Sequence, residues 1–446
     1  MKEIFNTNYL TLLIFLLSSA LAAQNETKIW YFGVNAGLDF NTSPPTILTN
    51  GVMSTPEGCA SASDAQGNLL FYTNGVTIWD KTHAVMANGN GLQADVSSTQ
   101  ACLIVKKPES LSNYYVFSEN HGLYYSEINM SFASGNGSVT VKNMTVFATG
   151  SEKLVGTRHC NGKDVWVVTH DYGNNNFRAN LVTSSGINST AIISSIGSII
   201  GAFNDLGCMK ISPNGKKIGM ALWNLSAPGS FELYDFNNST GVVTNSVLLG
   251  NTFTQPYGCE FSPDSKKFYG SGAINGSLVQ WDLSSGVDAT TIASQQLLST
   301  STQSTMGTMQ LAPNGKIYIA NVGQESLGVI NFPDIGGINC SYSPTGQSIS
   351  PNSNNNGLPN IIGSYFTTHP TITLNSSANN FSMCVGESKT LSVVGANTYT
   401  WNSTIFSQSL TITPPITSTY SVSGTNTLGC AYELTSTIAV TPCTMI

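Results

Sequence analysis

The chain has 446 residues, with 17 lysines and arginines against 24 aspartates and glutamates, a net charge of −7. That balance offers no basic surface to neutralise phosphates and speaks against nucleic-acid binding. Charged residues make up 9% and hydrophobic residues 41%, with Asn, Ser, Thr and Gly standing where Lys and Glu are usual, a mixture that excludes disorder for want of apolar surface and disfavours long solvent-facing helices.

The N-terminus reads as a secretory signal over residues 1–23: Lys2, the apolar run Leu10 to Leu21, then the small residues Ala20 to Ala23. The run is shorter than the roughly 20 residues that a spanning helix needs. The later apolar stretch Ala191 to Phe203 is short and broken by Ser and Gly. The expectation is an exported protein, secreted or at the outer cell surface, with no membrane span after signal cleavage.

Strand-like sequence follows at Ile29 to Phe32 and Gly37 to Phe40. A repeat then runs through the chain: a Gly with a small residue, an apolar run, a Ser-Pro-Asn/Asp-Gly type turn, and a second apolar run. Its clearest copies begin at Gly207, Gly258 and Gly307, about 50 residues apart, and looser copies begin at Gly58, Ala101 and Gly156. Leu358 to Phe366 reads as the inner strand of a seventh unit. Pro presets φ in these turns and Gly or Asn tolerates φ > 0, so each unit contains a hairpin. A unit of about 50 residues holds four short strands, as one propeller blade does. The reading is therefore all-β: a β-propeller over residues 24–369, seven blades favoured over six or eight, with the N-terminal strands completing the last blade.

Trp30 to Phe40, Glu57-Gly-Cys-Ala60, Gly67 to Gly75, Ser97-Ser-Thr-Gln100 and Gly357-Leu-Pro-Asn360 together resemble the N-terminal propeller of large exported Bacteroidetes proteins associated with type IX secretion and gliding. The resemblance covers about residues 28–368. It implies an outer-surface or released protein and carries over no catalytic residue. The family's usual C-terminal sorting domain has no counterpart before Ile446, so the resemblance implies export more firmly than attachment.

From Pro370 the chain changes character. Thr371 to Leu374, Cys384 to Val393, Thr398 to Asn402 and Thr419 to Gly424 are short alternating segments around Trp401. They suggest a small immunoglobulin-like or PKD-like β-sandwich over residues 370–446. Nine cysteines leave at least one without an intramolecular partner. Cys384 and Cys430 are the expected bridge in an oxidising compartment, with Cys443 the other candidate partner of Cys384.

Residues at the starts of the repeats are expected to share one rim: Glu57, Gln100, Arg158, His159, Asp205, Gln255, Tyr257 and Asn360. A mixed polar rim with planar groups suits a glycan, peptide or protein ligand. The bland alternative is hydrogen bonding to neighbouring strands and solvent. Cys59, Cys208 and Cys259 occupy equivalent positions and read as small buried residues, not a metal or redox site. No metal-ligand spacing links the five histidines or the cysteines. No cofactor is expected beyond calcium at Asp64 or Asp264, whose commoner role is to cap their own turns. Only two arginines, Arg158 and Arg178, are present, too few for a sialidase's carboxylate clamp. The leading expectation is a binding or adhesion protein. An extracellular hydrolase of glycosidase or lactonase type and a structural subunit of a surface assembly are the alternatives.

Overall fold

The computed structural model describes residues 25–202, 204–224, 228–273, 277–300, 305–367, 373–374, 381–426 and 429–442. The signal-like segment and Cys443 lie outside them. The chain divides into two units: residues 1–158, 164–236 and 241–368 form one, and residues 159–163, 237–240 and 369–446 form the other.

The turn-rich repeats of the first unit fold into antiparallel hairpins. Ser212-Pro-Asn-Gly215 closes one, pairing Met209 with Met220 and Ile211 with Ile218. The Ser212 and Asn214 side chains accept backbone N–H groups within that turn. Ser262-Pro-Asp-Ser265 likewise pairs Glu260 with Tyr269, and Ala312-Pro-Asn-Gly315 pairs Met309 with Ile319. Four-stranded sheets grow from these hairpins across residues 209–253, 256–300 and 306–348, beside a five-stranded sheet over 150–195.

The remainder overturns the expected architecture. Strands Ala60–Ser63, Leu69–Thr73, Thr77–Asp80 and Val85–Asn90 continue into Ser138–Phe147, Leu123–Asn129, Asn113–Glu119 and Cys102–Lys106 as one eight-stranded sheet. The join is a parallel bridge between Ala87 and Ser138. Asn88 donates to the Val139 carbonyl across it at 3.0 Å, and Asn143 donates to the Gly91 carbonyl at 3.0 Å. The N-terminal strands Ile29–Phe32, Ala36–Asp39 and Thr46–Leu48 complete no later sheet but form a three-stranded sheet of their own. Leu358 to Phe366 is not a strand: Pro359 brings no N–H to a ladder, and the segment ends in the 3-10 helix Gly363–Phe366. The chain is thus all-β, with one eight-stranded sheet and several separate small antiparallel sheets. It is neither a seven-bladed propeller nor a propeller followed by an immunoglobulin-like sandwich.

The segment from Asn356 to Ser364 touches the first strand, or the residues just before it, of several sheets. Asn356 N–H donates to Pro56 O, and Asn360 N–H to Cys59 O. Leu358 N–H donates to Thr308 Oγ1 and Ile361 N–H to Gln310 Oε1. Ser364 Oγ accepts the Arg158 N–H at 2.8 Å. Approach here is so close that a Cβ on Gly357 would lie 1.9 Å from the Glu57 carbonyl oxygen, and one on Gly307 2.1 Å from that of Asn356. Large aromatic side chains fill the spaces between sheets, among them Trp30, Tyr72, Phe117, Tyr234 and Trp281.

In the second unit Lys389–Val394 pairs with Thr373–Leu374 and Ser409–Ile412. A second sheet has the order Ser382–Cys384, Ala431–Thr441, Ser418–Thr425, Thr398–Trp401, its first pair parallel. Trp401 is fully buried among Met383, Leu391, Val393, Val422 and Ile438. The disulfide here is Cys160–Cys430, with Cα atoms 5.6 Å apart and a sequence separation of 270. The expected Cys384–Cys430 pairing is therefore wrong. Cys384 is itself disulfide-bonded, but not to Cys430.

Candidate functional site

The sequence-selected residues separate into three groups. Gln100 and Asn360 are buried and act as internal cross-links. Gln100 Oε1 accepts the Met209 N–H at 2.8 Å, and its Nε2 donates to the Met209 carbonyl at 3.0 Å. Asn360 Nδ2 donates to the carbonyls of Cys102 and Leu154 at 3.2 and 2.9 Å. Both side chains are occupied by backbone, so neither is free to take a ligand.

Arg158 and His159 have other partners. The strand expected to begin at Gly156 begins instead at Gly150 and ends at Arg158. Arg158 is therefore at its far end, its guanidinium 4.9 Å from the Tyr365 ring centroid. His159 belongs to the second unit, where its Nδ1 lies 3.9 Å from Cys430 Sγ.

In the third group, Glu57, Asp205 and Tyr257 mark a cluster, completed by residues the sequence reading passed over, while Gln255 stands just before the strand Pro256–Phe261. Glu152 stands near the start of the strand Gly150–Arg158, and Glu119 closes the strand Asn113–Glu119. Thr99 donates to Glu152 Oε2 from its backbone N–H at 2.7 Å and its hydroxyl at 2.8 Å. The Ser98 hydroxyl donates to Glu119 Oε2. Asn356 donates to Glu57 Oε1 at 3.1 Å. Lys153, fully buried, gives its three donors to the carbonyls of Leu206, Gly207 and Ala221.

Burial and mutual repulsion hold these carboxyls unusually basic. Burial, reinforced by Glu152, pushes Glu57 up to about 7. Burial pushes Glu119 up to about 8, with Glu152 and Asp95 adding to the shift and Ser98 opposing it. Glu152 is raised by burial against the Thr99 hydrogen bonds and the Lys153 charge. Burial lowers Lys153 to about 8. At pH 7 Glu119 largely keeps its proton and Glu57 is about half protonated, where ordinary glutamates are ionised.

The Tyr257 hydroxyl is hydrogen-bonded toward Glu57 and Thr99, and Trp223 Nε1 is a buried donor with no protein hydrogen-bond partner. Tyr257 is 4% exposed, and its hydroxyl lies beside Glu57, Thr99 and Glu152. Its ring meets Trp223 edge-on, with centroids 5.9 Å apart.

Other candidates resolve as structure. Asp64 Oδ1 accepts the N–H groups of Gln66 and Asn68, and Asp264 accepts from Lys266 N–H and the Ser262 hydroxyl, so both cap their own turns. Cys59, Cys208 and Cys259 are buried thiols, held protonated by burial. Among the described residues the one close grouping of three metal-type donors is His159, Cys160 and Cys430, and its two sulfurs are consumed in the disulfide.

No protein-family profile matches the chain, and no curated protein matches it. Among solved structures it is similar to Kluyveromyces lactis Hsv2, at 10% identity over 68% of this chain and 90% of that one, with a TM-score of 0.42. Kuenenia stuttgartiensis hydrazine synthase shows 11% identity over 73% and 88%, with a TM-score of 0.39. A protein proposed to be a 6-phosphogluconolactonase, from Bacteroides uniformis, shows 14% identity over 86% and 97%, with a TM-score of 0.39. Likeness of this degree carries no argument about activity. Among the described residues no helix is long and apolar enough to cross a membrane.

Proposed function

We propose that this chain is an exported binding protein whose partner seats on the rim formed by Glu57, Glu119, Glu152, Trp223 and Tyr257. The observation that carries this reading is the convergence of three buried carboxyls, Glu57, Glu119 and Glu152, beside the Tyr257 hydroxyl. Burying carboxyls together is unfavourable, and a partner that pairs with them recovers that cost on binding. The fixed hydrogen bonds of Thr99 to Glu152 and of Ser98 to Glu119 suit a preorganised recognition surface. Export is supported by the signal-like residues 1–23 and by the Cys160–Cys430 bridge, since such bonds persist in oxidising compartments.

Native mass spectrometry of the protein recovered from its own growth medium tests the reading. The expected result is an added mass on the wild-type protein that is lost in the E57Q/Y257F double variant. An added mass that persists in the folded double variant contradicts the rim as the site.

A further inference from the structure

We propose that His159, Cys160 and Cys430 form a zinc site when the Cys160–Cys430 bridge is reduced. All three residues belong to the second unit. Their donor atoms lie within 4.8 Å of one another, and His159 Nδ1 is 3.9 Å from Cys430 Sγ. In a tetrahedral site with Zn–S near about 2.3 Å and Zn–N near about 2.0 Å, neighbouring donors stand about 3.5–3.8 Å apart. The imidazole is therefore already near ligand spacing from one sulfur. Two thiolates and an imidazole are donors that suit zinc, and three protein ligands leave the fourth position to water.

What holds these donors together does not depend on the bridge. Asn426 Nδ2 donates to the Cys160 carbonyl at 3.1 Å, and the Tyr432 hydroxyl donates to the same carbonyl at 2.5 Å. Asn426 Oδ1 accepts the Cys430 N–H at 3.1 Å, so one asparagine ties both cysteine backbones. The Gly162 N–H closes the turn on the His159 carbonyl at 2.9 Å. His159 Nδ1 accepts the Asn161 N–H at 3.1 Å, so it carries no proton, the form that a metal requires. Zinc takes that lone pair from the Asn161 N–H. Both cysteines are buried, and a cation between them offsets the cost of burying two thiolates.

A dithiol reductant gives the bridge two electrons and two protons and leaves as its own disulfide. Zinc then displaces the two thiol protons. In reverse, a protein disulfide takes two electrons from the thiolates, the bridge closes and the metal is released. Only thiolate sulfur binds the metal, so metal and bridge exclude each other: a reducing compartment favours the metal and an oxidising one the bridge.

The test is cobalt titration of the whole mature protein, before and after reduction with dithiothreitol and anaerobic removal of the reductant. Oxidised protein should show no thiolate-to-cobalt charge-transfer band. Reduced protein should show that band with the strong visible bands of tetrahedral cobalt, and zinc should bleach both. C160S/C430S should lose the bands. H159A keeps the bridge, so its oxidised melting temperature reports its folding; when reduced it should bind cobalt about tenfold or more weakly, since even groups one shell beyond the ligands cost that much. Reduced wild type without a charge-transfer band overturns the inference. Bands unchanged in both H159A and C160S/C430S overturn it as well, because they place the metal on other cysteines.

Discussion

Replacing Glu119 with glutamine should stabilise the protein, and the gain should grow with pH. Glu119 is buried at the end of its strand and held at about 8 by burial and by the neighbouring Glu152 and Asp95. In the unfolded chain it titrates near the ordinary glutamate value. Between those two pH values the native protein keeps a proton that the unfolded chain has lost. Its stabilising contribution is therefore complete below about pH 4.5 and is lost as pH rises through about 8. The slope is about 1.4 kcal/mol per pH unit, with a ceiling of about 5 kcal/mol over the whole window. The amide introduced by E119Q keeps an oxygen for the Ser98 hydroxyl and has no proton to lose. Urea denaturation at pH 5, 6, 7 and 8 should show wild type losing stability faster than E119Q, by about 1 kcal/mol per pH unit or somewhat more. Parallel stability curves for the two proteins would refute the argument that Glu119 keeps its proton in the folded state.

Other consequences follow from the same geometry. Lys210 lies 3.4 Å from Glu260 and 2.6 Å from Gln310 Oε1, with both charged side chains buried; K210M should cost about 3–5 kcal/mol in chemical denaturation, and the K210M/E260Q pair should recover part of it. Gly357 has no room for a Cβ against the Glu57 carbonyl, so G357A should destabilise by about 3 kcal/mol or more and also lower ligand affinity by displacing Glu57. Losing the Cys160–Cys430 bridge through C160S/C430S should cost about 2–5 kcal/mol and make the second unit more sensitive to protease, while wild type under oxidising conditions should resist.

What is legible in the sequence is local. The hairpin turns at Ser212–Gly215, Ser262–Ser265 and Ala312–Gly315 are readable because Pro, Asn, Asp, Ser and Gly encode turn geometry over four residues. Glu57 and Tyr257 stand out as rim residues because they lie just before, or at the start of, strands in copies whose strand start is plain from the repeat. Glu152 escapes a repeat-based reading, which selects Arg158 in its place, because the strand begins at Gly150, six residues before the expected Gly156. Glu119 escapes it because it ends a strand whose apolar pattern, Tyr114 to Phe117, carries no mark of a site. The joining of two repeats into one sheet depends on Ala87 meeting Ser138, and the disulfide on Cys160 meeting Cys430; neither has a local signal. Gln100 and Asn360 look like surface amides in sequence, yet they cross-link backbone that only the folded chain brings together.

The central claim, that a ligand seats on the Glu57–Tyr257 rim, is tested most directly by a high-resolution crystal structure of the protein purified from its growth medium. The account predicts ligand density in contact with Glu57, Tyr257 or Trp223 Nε1. Ligand density elsewhere, with these groups meeting only protein and ordered water, would contradict it.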